Sequence, residues 1–266
     1  MLVTAKDMLD KAGILYKTGI LTDRSLRISE YDSIKRLPGY RDGFFTVQDE
    51  TSTYAVTRAG IKAGDRVLDM CASPGGKSIL AYELTVSEDR SISGKVVSCD
   101  ISEAKLRKIK ENADRIGIPA GEGYIPAGIE VRMADAAGED YSLSSGMMDS
   151  SHSDDEERFD VVIADVPCSG LGIIGRKNDI KYHMTPDKMR QLSEQGIRIL
   201  RNASKMVKDG GTICYSTCTI NPAENGDVVR RFLGEQTGGR QLRIAEERTF
   251  LQGVDGSDGF YYCILC

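Results

Sequence analysis

The sequence predicts an α/β fold over residues 65–266, a mostly parallel sheet with helices on both faces. Two observations predict it. From about Asp65 onward, short apolar runs rich in Val, Ile, Cys and Tyr alternate with stretches whose apolar residues recur every three or four positions. Such alternation is what strand–helix–strand units leave in a chain. The chain is also large enough for a good core, with 266 residues of which 40% are hydrophobic and 28% charged. It has no run of about eighteen apolar residues that would suggest a membrane span.

Residues 1–64 are set apart as a partial accessory domain and linker. "TAKDMLDKAGILY" is predicted as one helix starting at a cap on Thr4. "TGILTDRSLRISEYDSIKRLPGYRDGFFTVQDE" is predicted to be irregular with short strands, too little to bury a core of its own. The strands expected next are "DRVLDMCA", "GKVVSCD", "GIEVRMAD", "FDVVIADVP", "GGTICYSTC" and "GFYYCILC". Between them, "GGKSILAYEL", "SEAKLRKIKENADRIG", "TPDKMRQLSEQGIRILRNASKMVKDGG" and "PAENGDVVRRFLGE" have helical spacing, and the third is expected to stop at its Gly-Gly.

The start of the chain lacks the apolar core and cleavage site of a signal peptide, so a cytoplasmic location is expected. The seven cysteines are an odd count and lie mostly in apolar runs, where a reducing compartment keeps them as thiols. "CILC" at 263–266 has metal-ligand spacing, but no second pair or nearby histidine completes a site, and it is read as strand packing. The formal charge of −5 argues weakly against a nucleic-acid partner. That charge is unevenly spread, however. Seven carboxylates and no Lys or Arg fall between Glu139 and Glu157; without them the remainder carries +2. Residues 139–158 are therefore expected to form a solvated, mobile acidic insertion, while "GRKNDIKYHMTPDKMR" is locally basic.

The candidate chemistry falls at strand ends, where ligands of open α/β sheets bind. "LDMCASPGGKS" follows the first strand of the sheet, and its Pro-Gly-Gly allows close backbone approach before a helix N-terminus. It matches neither the phosphate loop, which needs Gly where Cys71 stands, nor the dinucleotide pattern. An adenosyl ligand without phosphates remains. Asp100, ending "VVSCD", is the acid expected to take the ribose hydroxyls, although a cap on the following helix would also use it. Asp135 ends the third strand near the expected adenine edge, and Asp165 ends the fourth. A glycine turn and three acids on successive strand ends point to S-adenosylmethionine.

Buried cysteines are usually inert packing, the better reading for Cys99, Cys214, Cys263 and Cys71. Cys168 and Cys218 differ because each leaves a strand into a polar turn. A thiolate beside a methyl donor suits methylation of a pyrimidine at carbon 5, since addition to carbon 6 makes carbon 5 nucleophilic. Asp165 would hold the ring's N3 and exocyclic amine, and Lys77 would help keep a neighbouring thiol ionised.

"DMCASPGGK", "DVPCSGLGIIGRKNDIK" and "YSTCTINPAENGDVV", with "GFFTVQDETS" and "DGFYYCILC", resemble the motifs of the RNA cytosine-5 methyltransferase family of the Sun or nucleolar-antigen type. The resemblance covers the chain from about residue 20. It implies a Rossmann-like S-adenosylmethionine-dependent fold with a seven-stranded-type sheet. It further implies that Cys218 is the nucleophile and that Cys168 assists breakdown of the covalent intermediate. Cys71, Ala72, Ser73, Pro74, Gly75, Gly76, Lys77, Asp100, Asp135 and Asp165 would bind the cofactor, with Asp165 and Lys77 also bordering the target base. Arg176, Lys177 and Lys181 would be the nearest phosphate contacts. The bacterial branch acts on small-subunit (16S) ribosomal RNA, so a monomer acting on that RNA, without membrane or metal, is expected. Ser73 stands where family members often have Ala, and Tyr182 where a Trp is common. That branch also has an additional amino-terminal RNA-binding domain, and this chain is expected to be an expressed fragment that starts after it. Two other readings are weighed. An amino methyltransferase would carry an aromatic residue where Cys168 stands. An RNA assembly factor with little turnover would need neither thiol.

Overall fold

The computed structural model describes residues 2–29, 31–123, 125, 127–143, 158–236 and 241–266; residues 144–157, most of the predicted acidic insertion, lie outside them. The chain begins with α1 (Leu2–Lys11), the hairpin β1 (Tyr16–Thr18) and β2 (Leu26–Ile28), and α2 (Glu50–Arg58). There follow β3 (Arg66–Asp69), α3 (Gly76–Thr85), β4 (Lys95–Asp100), α4 (Glu103–Ile116), β5 (Ala120–Gly121), β6 (Ile129–Met133) and β7 (Phe159–Asp165). The last part holds α5 (Ile180–His183), α6 (Pro186–Met206), β8 (Val207–Thr217), α7 (Gly226–Gly234), β9 (Ile244–Phe250) and β10 (Phe260–Leu265).

Eight strands form the main sheet in the order β5-β6-β4-β3-β7-β8-β10-β9. The seven-stranded type is thus extended by the two-residue β5 at one edge. The strands from β5 to β8 are parallel, and β10 returns antiparallel between β8 and β9. The chain winds outward from β3 through β4 to β6, then crosses back to place β7 on the other side of β3. That reversal opens a crevice at the carboxyl ends of β3, β4 and β7. Successive strand residues face opposite sides of the sheet. Val67 joins a core with Ile79, Ile109 and Ile163, and Leu68 joins the opposite core with Ile197, Leu200 and Val228.

Three predicted details are corrected. α1 begins before Thr4, which therefore does not cap it. α6 begins where expected, with the Thr185 hydroxyl accepting the Lys188 amide at 3.3 Å, but it ends at Met206 rather than at the Gly-Gly. Val207 is already extended, and Gly210, at φ +76°, lies where the β7–β8 register jumps from Phe159–Val207 to Val161–Thr212. The glycines thus make a bulge in a strand. Finally, α2 has no counterpart among the predicted elements. Its sequence, ETSTYAVTR, has little apolar periodicity. It forms because Asp49 caps it, accepting the Thr51 amide at 2.9 Å, and because Ala55 and Val56 enter the sheet's core. Glu50, on α2, accepts the amides of Leu21 and Thr22 and pairs with Arg27, tying the β1–β2 hairpin to the body. Among the described residues no helix is long and apolar enough to cross a membrane.

Candidate active site

The turn between β3 and α3 is positioned by backbone hydrogen bonds. Ala72 N–H donates to the Cys99 carbonyl at 2.9 Å, and Gly75 N–H donates to the Ala72 carbonyl at 2.7 Å. Gly75 has φ +105°, which side-chain-bearing residues rarely adopt, and a Cβ there would meet Ile109 Cα at 3.3 Å. The Ser73 amide donates to Asp100 Oδ2 at 3.0 Å, while Pro74 offers its carbonyl to the Asn112 amide at 2.8 Å. Asp100 is buried at the end of β4. Its Oδ1 accepts from Ile101 N–H and from Lys105 Nζ, at 2.8 and 2.9 Å. It therefore braces the glycine turn, and α4 takes Ser102 as its cap residue. Asp135 lies exposed two residues past β6 and accepts the Ala137 amide at 3.0 Å. The loop after it is held by Asn202, whose amide donates to the carbonyls of Ala136 and Gly138 at 2.9 and 2.8 Å.

An adenosyl ligand fits this set. Ile101 and Met133, at adjacent strand ends, are 55% and 64% exposed and offer apolar surface to a purine. The carboxylate of Asp100 and the glycine turn stand beside them. Cys71 is half-buried, and burial pushes its thiol far up, so it belongs to the packing of the turn.

Across the crevice, Lys77 Nζ lies 2.6 Å from Asp165 Oδ2, and Ser216 Oγ donates to Asp165 Oδ1 at 2.7 Å. Ser216 reaches it because β7 and β8 pair Asp165 with Ser216. Burial alone would push Lys77 down, but the charge of Asp165 and its hydrogen bond prevail and raise it. A second carboxylate, Asp69, lies fully buried at the end of β3, within electrostatic reach of the pair. Ser78 Oγ donates to its Oδ2 at 2.7 Å, its Oδ1 has no hydrogen-bond partner among the described residues, and burial pushes it up to about 6.

Cys168 and Cys218 meet, with their Sγ atoms 3.3 Å apart. The hydrogen bond from Cys168 lowers Cys218 against the opposing effects of burial and of Asp165, with help from the charge of Lys77. The same bond, with burial, raises Cys168 well above its ordinary value. These opposite shifts favour ionisation at Cys218, while either sulfur can donate in the contact itself. The other strand cysteines behave differently. Burial pushes Cys99 and Cys263 up to about 12, and Cys214 higher still.

Of the three cationic candidates, Arg176 and Lys177 lie on the segment between Cys168 and α5, and Lys181 lies on α5. Arg176 is ion-paired, 2.9 Å from Asp258 and 3.7 Å from Asp49. Lys177 is exposed, and Lys181 Nζ sits 4.9 Å above the ring of the 75% exposed Tyr182. Sequence reasoning missed Asp69, Ser216 and Asn202. Asp69 had a signal, an acid at a strand end before the glycine turn; the other two are legible only through strand register and helix docking.

A parallel sheet reversing at β3, a glycine turn facing a strand-end acid, and helices on both faces define a Rossmann-like, S-adenosylmethionine-dependent methyltransferase fold. A family model described as 16S rRNA methyltransferase RsmB/F matches residues 59–266, and the chain belongs to that family. A Bacillus subtilis protein named "Probable ribosomal RNA small subunit methyltransferase B" is 33% identical over 97% of this chain and 56% of its own length. Ribosomal RNA small subunit methyltransferase B of Vibrio cholerae is 31% identical over 97% of this chain and 54% of its own. The chain thus spans about half the length of the curated relatives it matches. A crystal structure of a methyltransferase homolog from Pyrococcus horikoshii shares the fold, with a TM-score of 0.75 at 22% identity over 100% of this chain and 82% of that one.

Proposed function

We propose that this protein transfers a methyl group from S-adenosylmethionine to carbon 5 of a cytosine in RNA, through a covalent adduct on Cys218. The observation that carries this reading is the contact of two strand-end thiols at 3.3 Å, beside the Lys77–Asp165 pair. The residues from Cys71 to Lys77, with Asp100, Asp135 and Asp165, would hold the cofactor, which supplies an electrophilic methyl group when bound. Cys218, as thiolate, adds to carbon 6 of the cytosine, and the electron pair released into the ring makes carbon 5 nucleophilic. Asp165 holds N3 and the exocyclic amine as charge develops. After carbon 5 has gained its methyl group, a base takes the carbon 5 proton and the Cys218–carbon 6 bond breaks. The proton carried by Cys168 then stabilises the departing thiolate. Methylation of an exocyclic amine would leave this thiol pair unused.

The relatives' names support small-subunit ribosomal RNA as the substrate. An unpaired or flipped base suits such a site. Lys177 and Lys181 supply phosphate contacts with Tyr182 beside them, while Arg176 also holds its loop to Asp258 and Asp49. In this reading the enzyme works as a cytoplasmic monomer, and its chemistry calls for no metal ion.

The test is denaturing electrophoresis of Cys168→Ala with labelled small-subunit ribosomal RNA and S-adenosylmethionine. A shifted protein–RNA band is expected in Cys168→Ala and is expected to disappear when Cys218→Ala is added. Normal turnover by Cys218→Ala overturns the assignment.

A further inference from the structure

Two sulfurs at 3.3 Å on separate turns need something to hold them there. β7 and β8 pair only as far as Asp165 and Ser216, and both cysteines lie beyond the last paired residues. The turn "TINPAEN" supplies the connection. Glu224 is 2% exposed, yet its carboxylate is fully engaged. Oε2 accepts the Ser169 amide at 2.6 Å and Oε1 accepts the Asn221 side-chain amide at 2.7 Å. Ser169 is the residue after Cys168, and its hydroxyl lies 2.8 Å from the hydroxyl of Thr219, the residue after Cys218. Thr219 is held in turn by Asn225, whose amide donates to its carbonyl at 2.9 Å. Tyr215 anchors the turn by donating to the Glu224 carbonyl at 2.7 Å.

We propose that Glu224 is the positioning residue of the thiol pair: by holding the Ser169 amide it fixes Cys168 against Cys218 and sets the reactivity of Cys218. This rests on the thiol-pair reading above. The site demands two acceptors. Asn221 already spends its carbonyl oxygen on the Ala223 amide, so its NH2 must face Glu224. A glutamine at 224 therefore turns one donor against another, at Ser169 or at Asn221, with almost no change in shape.

The test is the pH profile of Cys218 alkylation by iodoacetamide in the full chain, read by peptide mass spectrometry, for wild type, Cys168→Ala and Glu224→Gln. Thermal melting and S-adenosylmethionine binding serve as controls. Glu224→Gln is expected to raise the alkylation midpoint by about one pH unit, slowing alkylation at pH 7 about 10-fold, with cofactor affinity unchanged. A wild-type profile in Glu224→Gln, with Cys168→Ala shifted, overturns the role of Glu224 alone. A wild-type profile in Cys168→Ala overturns the thiol pair itself. Should Glu224→Gln fail to fold, Thr219→Val tests the same clamp. A raised midpoint there, restored in Thr219→Ser, supports it, and an unshifted one overturns it.

Discussion

The two sides of the crevice are held together in different ways. On the cofactor side, Ser73, Asp100 and Asp135 are tied largely by backbone amides, two of them one or two residues away. On the thiol side, Cys168 and Cys218 are fifty residues apart in sequence and depend on buried side chains from their two turns. Backbone donors survive substitution of any one side chain; a side-chain clamp does not. The cofactor side should therefore respond to single changes by degrees, and the thiol side by large steps.

The largest step is expected at Cys218. Cys218→Ser keeps the shape but replaces an ionisable thiol by a hydroxyl, and methyl incorporation should fall on the order of 10⁴-fold. Cofactor affinity measured by calorimetry should stay within about twofold. Near-normal incorporation would break the contrast between Cys218 and the packing cysteines Cys99, Cys214 and Cys263.

A middle-sized effect is expected at Asp69. Burial raises its folded value to about 6, above the ordinary carboxylate value near 4. The protonated form is thus the one the fold favours. Its contribution is complete below about pH 4 and is lost as pH rises through 6, by up to about 3 kcal/mol. Asp69→Asn cannot ionise, so urea unfolding should show it gaining stability relative to wild type between pH 4 and pH 8. A constant difference across that range would mean that Asp69 is charged in the native state throughout.

The smallest effect sharpens the cofactor side. Lys105 pairs with Asp100 through a half-exposed side chain, while two backbone amides hold the same carboxylate. Lys105→Ala should weaken S-adenosylmethionine binding only about two- to fivefold by calorimetry. A loss of a hundredfold would show that this side too hangs on one side chain.

Much of the cofactor side was legible in the sequence because its parts are contiguous. The glycine turn and Asp100 stand where strands run into helices, and those strands lie where the apolar runs put them. The misreadings have local causes. The Gly-Gly after α6 carries the usual signal of a helix stop, but Val207 already belongs to β8, and the glycines serve its bulge. α2 hid behind Thr and Ser residues that are buried by packing rather than by their own hydrophobicity. The ion pair of Arg176 with Asp258 was not legible because Asp258 is far along the chain.

By itself, then, the sequence determined the alternation of strands and helices, the crevice at their carboxyl ends and the placement of Cys168 and Cys218 just past two of those ends. It did so because hydrophobic periodicity and turn chemistry act over a few residues. The tertiary structure alone decided that the two sulfurs touch and that the Glu224 carboxylate meets the Ser169 amide next to them. Those facts depend on the register of β7 against β8. Strands joined by a long crossover take their register from packing across the whole sheet, which no short stretch of sequence encodes.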